Sequence, residues 1–131
     1  MVTCEAESGA SAAEAWELIA RPDRWHEWAP HVRGAWGLGE PEVQEGRRGF
    51  ARLVGVVPVP ARITEVEPGR SWTWQVGPAR MAHRVQELPG GCLVAVDIEA
   101  PGPLEPALRA FYAPLVQRLL ARLSAKAASR A

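Results

Sequence analysis

Between residues 31 and 99, short runs of alternating polar and apolar residues are cut by Gly and Pro, the pattern of antiparallel strands joined by tight turns. The spacing predicts strands near 31–38, 47–56, 60–67, 71–77, 80–88 and 92–99, with one more at 2–8. Alternation is clearest at Ser71-Trp72-Thr73-Trp74-Gln75-Val76, where Trp72, Trp74 and Val76 share one face and the polar residues the other. Glu67-Pro68-Gly69-Arg70 suits a type II turn, Gly77-Pro78 a tight reversal and Pro89-Gly90-Gly91 a hairpin.

Three segments carry a helical period instead. Ser11-Ala12-Ala13-Glu14 reads as a capping box, in which the Ser hydroxyl and the Glu carboxylate each satisfy an orphan amide. The apolar Ala15, Trp16, Leu18 and Ile19 then predict a helix of about ten residues that ends before Pro22. The segment from Arg21 to Pro30 reads as a second short helix bracketed by prolines, with Trp25 and Trp28 on one face. Leu104, Leu108, Phe111, Tyr112, Leu115, Val116, Leu119, Leu120 and Leu123 form the apolar stripe of a long last helix. Pro114 falls inside it and predicts a kink or an unpaired carbonyl, and the tail after Ala125 should fray. No repeat or linker interrupts the chain, so a single domain over 1–131 is expected.

Composition excludes more than it identifies. Fifteen basic and fifteen acidic residues in 131 give no net charge, hence no global drive toward nucleic acid or an anionic membrane. No apolar run nears the ~20 residues of an integral membrane segment, and the acidic start MVTCEAESGAS lacks a signal-peptide layout, so a cytoplasmic protein is expected. Cys4 and Cys92 form no CxxC or Cys/His group and read as reduced small hydrophobes. Six tryptophans, at 16, 25, 28, 36, 72 and 74, are the informative excess: they must dominate the core or line something.

Few polar residues are placed for chemistry. His26-Glu27-Trp28-Ala29-Pro30-His31 fails as a zinc motif, because its second His is one position too far and follows a proline. No metal and no other cofactor is expected. His83 lies mid-strand between apolar Met81 and Val85 and should point inward with them, as a core histidine or as a proton handler for a guest. Arg52 and Arg62 sit on strands and could reach inside; Arg84 and Asp97 should face out. Tyr112 can donate its phenol to a ligand carbonyl while its ring packs. Nucleophile elbow, P-loop, dinucleotide glycines and paired carboxylates are absent from the sequence.

Strand, two short helices, six strands and a long helix, together with SAAEAW (11–16), RPDRWHEW (21–28), EVEPGRSWTW (65–74) and Gly90–Val96, resemble the SRPBCC superfamily of START-related and birch-pollen-allergen-like domains. The likeness covers about residues 2–125 and is greatest to the small bacterial polyketide cyclase/dehydrase-like branch. It implies an α+β helix-grip fold: a curved seven-stranded antiparallel sheet wrapped around a long C-terminal helix, with two short helices after strand 1. It also implies a pocket between sheet and helix, where curved wall and helix cannot interdigitate fully. Trp28, Trp36, Phe50, Arg62, Trp72, Trp74, Met81, His83, Phe111, Tyr112 and Leu115 are the residues expected to line or fill it. A guest burying about 300 Å² of apolar surface would gain roughly 7 kcal/mol before the costs of binding.

Three readings follow. The first is a module that binds a small hydrophobic molecule, polyketide-, lipid- or quinone-like. The second is a cofactor-independent polyketide cyclase or dehydratase with His83 and Tyr112 as its catalytic pair. The third is a regulatory or interaction protein with no ligand, whose sheet or last helix, basic from Arg109 to Arg130, binds a partner. Oligomeric state stays open, with a homodimer among the options.

Overall fold

Seven antiparallel strands form one sheet in the order β1-β7-β6-β5-β4-β3-β2. They are β1 (Val2–Ser8), β2 (Val32–Trp36), β3 (Arg48–Leu53), β4 (Pro58–Glu67), β5 (Ser71–Val76), β6 (Ala79–Leu88) and β7 (Gly91–Glu99), as the alternation predicts. The structure is a computed structural model and describes residues 2–29, 32–53, 58–107, 109–110 and 113–129. The Pro68-Gly69 turn closes with Arg70 N donating to Glu67 O at 2.9 Å, and Gly69 takes the φ of 79° that a type II turn demands.

Helix α1 (Ala12–Ala20) starts at Ser11, whose Oγ accepts from Glu14 N at 3.2 Å. Only this half of the expected capping box forms, since Glu14 Oε2 is buried without a partner. The second helix is a 3₁₀ turn, Pro22–Glu27, held by Arg24 between Glu27 at 2.8 Å and Glu17 at 3.4 Å.

The last helix differs from the sequence expectation. A 3₁₀ turn (Gly102–Leu104) leads into the short α2 (Glu105–Ala107), and residues 109–110 are wound as a wider π turn. The continuous helix, α3, is Ala113–Ala128. Pro114 follows the π-wound residues 109–110, and its missing N–H together with the crowding of its ring on the carbonyl four residues back, that of Ala110, accounts for this local departure from α winding. Val116, Leu119, Leu120 and Leu123 bury the α3 stripe against β1, β7 and α1.

Register fixes which side chains share the covered face. One row across the sheet runs Cys4, Val96, His83, Trp72, and the next runs Ile98, Met81, Trp74, Ile63. All eight are buried. Between Ile63 and Glu65 strand β4 holds one extra residue, Thr64, whose Oγ1 donates to Thr73 O at 3.3 Å. Such a bulge bends its strand and strengthens the local twist. Cys4 lies opposite Val96 and Cys92 opposite Ser8, four pairs along the ladder and so about 13 Å apart; both are free thiols.

Replacing Ser11 by Ala removes the cap on Glu14 N and should lower unfolding free energy by about 1 kcal/mol. Urea denaturation reads this directly, and an unchanged midpoint would mean the cap contributes nothing.

Candidate functional site

Helix α1 ends without a C-terminal glycine or a basic residue in its last turn, so its final carbonyls need other donors. Tryptophans supply them. Trp28 Nε1 donates to Leu18 O at 2.9 Å, while Trp25 Nε1 and Trp72 Nε1 converge on Ile19 O at 2.9 and 3.1 Å. Val43 N completes the set on Ala20 O at 2.9 Å. These bonds clamp α1 and the 3₁₀ helix onto β5. Trp28 is thus a capping residue with its one donor spent, rather than a free pocket wall.

The same tryptophans build an aromatic cluster on the covered face. Trp25 stacks on Trp72 with centroids 5.5 Å apart, and His83 stacks on Trp72 at 3.8 Å with the rings 8° from parallel. Trp74 stands edge-on to Trp25, Trp72 and His83 at 5.3–5.9 Å. Burial lowers the His83 pKa to about 4, against the pull of the Trp72 and Met81 carbonyls and the Asp97 charge. His83 is therefore neutral at pH 7, with Nδ1 3.4 Å from Trp72 O. Met81 lies beside it on the same face and is equally buried.

Trp74 is the exception among the clustered indoles: its Nε1 is buried with no hydrogen-bond partner. A buried orphan donor costs about 1–3 kcal/mol, so this atom asks for an acceptor that the described chain does not provide. Leu115, half-buried on α3, is another of the expected lining residues. Phe111 and Tyr112, expected on the wall and in the case of Tyr112 as a catalytic partner, lie outside the described residues, as does His31.

Three expected pocket residues face the other way. Trp36 pairs with Phe50, Phe50 with Pro60, and Arg48 with Arg62, in register with outward Gln75. Strand parity therefore puts Trp36, Phe50 and Arg62 on the outer face; Ala35, Ala51, Ala61 and Val76 take the covered one. Trp36 and Phe50 are 46% and 42% exposed and pack on each other at 5.7 Å. The sequence leaves the parity of β2 and β3 open because Gly and Arg interrupt their alternation. The Arg52 side chain is outside the described set.

Arg84 and Asp97 do face out, paired at 2.9 Å, with Thr3 Oγ1 also donating to Asp97. Burial pushes both cysteine thiols up, aided by Asp97 at Cys4 and Glu14 at Cys92, so neither is an activated nucleophile. His26 is exposed on the 3₁₀ helix. Trp25 belongs to the cluster although its spacing only marked it as a face-mate of Trp28; that i, i+3 pairing was the available signal.

A neutral buried His83 dictates an acid sensitivity. Its folded pKa of about 4 lies below the unfolded value near 6.5, so the unfolded state binds the proton first as pH falls. Stability should be flat above about pH 6.5, fall by about 3 kcal/mol down to pH 4, and lose nothing further to this group below that. Urea titrations across this range check it. His83→Phe should flatten that segment, and wild-type stability unchanged down to pH 4 would refute the buried neutral state. Separately, Trp28→Phe keeps an aromatic ring but orphans Leu18 O, which should cost about 1–3 kcal/mol in the same assay, besides the packing lost with the smaller ring.

No curated protein matches this sequence. Among solved structures, protein MLL2253 from Mesorhizobium loti superposes with a TM-score of 0.80 at 12% identity, covering 98% of this chain and 96% of that one. Ara h 8.0201 gives 0.68 at 9% identity, with 98% and 97% covered. DynU16, from the dynemicin biosynthetic locus, gives 0.68 at 20% identity over 93% of this chain and 46% of its own. At such identities these likenesses establish the helix-grip fold alone. Residues 1–128 match the family described as "Polyketide cyclase / dehydrase and lipid transport". Sequence pattern, fold and this match agree: the chain belongs to that family, within the SRPBCC superfamily.

Proposed function

We propose that the chain binds a small hydrophobic molecule, polyketide-, lipid- or quinone-like, between the covered face of the sheet and α3, and that the guest supplies an acceptor to Trp74 Nε1. The observation that carries the reading is that orphan indole N–H, set in an otherwise apolar cluster whose other polar atom of note is a neutral imidazole. Apolar surroundings with very few convergent polar groups are the usual composition of a small-molecule site. The family description and the dynemicin-locus neighbour favour the same class of ligand. Met81, His83, Trp74 and Leu115 are the residues assigned to it.

A cofactor-independent cyclase in the same space is the second reading, with His83 moving the proton. A pKa of about 4 makes His83 a weak base at pH 7, far from the match that general-base catalysis favours. Binding therefore ranks first.

2-Acetylnaphthalene and 2-ethylnaphthalene, nearly equal in shape, separate the parts of the proposal. Both should quench tryptophan emission and raise Tm, the ketone more strongly. Trp74→Phe should weaken the ketone about tenfold, the worth of one hydrogen bond, and leave the hydrocarbon unchanged. No response to either compound would overturn the binding role; equal loss of both would overturn the donor assignment.

A further inference from the structure

The outer face of the sheet holds a second feature, unrelated to the interior. Arg48 on β3 and Arg62 on β4 are directly opposed in register, and both are exposed. Like charges facing each other across a ladder are destabilising, and proteins generally place an acid nearby. Elsewhere on this outer face that is what happens: Arg80 pairs with Glu65 at 3.4 Å and Arg84 with Asp97 at 2.9 Å. Among the described residues, Arg48 and Arg62 have no acidic partner.

Between them lies an open groove of about 420 Å³. Phe50 and Pro60 give it apolar side chains, Gly49 and Ala61 also border it, and no acidic residue lines it. Phe50 stays 42% exposed at one side, extended by Trp36 packed on it. Directly opposed side chains start about 5 Å apart, so two guanidinium forks can close on one carboxylate, whose two oxygens match the fork geometry.

We propose that this groove binds an apolar monocarboxylate, its anionic head between Arg48 and Arg62 and its apolar body on Phe50 and Pro60. Charge complementarity selects the carboxylate, and the bare aromatic floor selects the body. The site is on the opposite face of the sheet from the interior cluster, so the two readings stand or fall separately.

Backbone and side-chain amide NMR of the whole chain tests it, with 2-naphthoate as the probe and uncharged 2-acetylnaphthalene as the control. Naphthoate should shift the amides of Gly49, Ala61 and Gly77 and the Gln75 side-chain amide. Arg62→Gln and Arg48→Gln should each weaken this roughly fivefold, and about 0.5 M salt should weaken it too. The control should leave these signals in place, whatever it does to Met81 and His83. If naphthoate leaves these four signals unmoved, if the Gln variants bind as wild type, or if the neutral ketone moves the same signals equally, the proposal is wrong.

Discussion

The fold turns on how helix α1 ends. Four residues into a helix's last turn, carbonyls run out of partners, and here they are buried beneath a sheet where water cannot serve them. Indoles from the neighbouring 3₁₀ helix and from β5 meet Leu18 and Ile19, and a loop amide meets Ala20. The solution needs large flat side chains with a single donor at the rim, which is what tryptophan offers. It accounts for three of the six tryptophans, Trp25, Trp28 and Trp72. Once α1 is held this way, the 3₁₀ helix is fixed over β5, and the cluster of Trp25, Trp72, Trp74 and His83 has no freedom to arrange itself differently.

That rigidity bears on function. Packing of Trp72 between Trp25 and His83 makes part of the interior solid, which narrows the surface left for the proposed guest. Within the aromatic cluster, what remains chemically unfinished is one indole N–H without an acceptor and one imidazole kept neutral by its surroundings; Glu14 Oε2 and Ser124 Oγ, elsewhere in the chain, are also buried without a partner. The match to a family described as "Polyketide cyclase / dehydrase and lipid transport" is in keeping with the mostly apolar guest proposed above, and a weakly basic imidazole fits that proposal better than acid–base turnover.

Strand positions, both early helices and the turn glycines are legible in the residues because each depends on local chemistry: period-two alternation, a Ser cap, a proline at a helix start, Gly at a positive φ. The inward set His83, Met81 and Val85 was legible for the same reason. Trp36, Phe50 and Arg62 were not, since a strand rich in Gly and Arg gives no parity, and parity depends on which partner it meets. Trp28 spends its N–H on the Leu18 carbonyl, a use that its place in the sequence does not distinguish from availability to a ligand. The change of winding at 109–110, just ahead of Pro114, is the irregularity that a proline within the apolar stripe leads one to expect.

Thr64 shows how much shape can rest on one insertion. Ile63 faces Trp74 and Val66 faces Trp72, so β4 brings apolar residues three apart to the same side by carrying one residue more than its neighbour. Excising Thr64 would leave every facing pair in place and merely straighten the ribbon. Concavity here is thus encoded separately from pairing, and a lineage could flatten or deepen its hollow by gaining or losing a single codon without rewriting the aromatic lining.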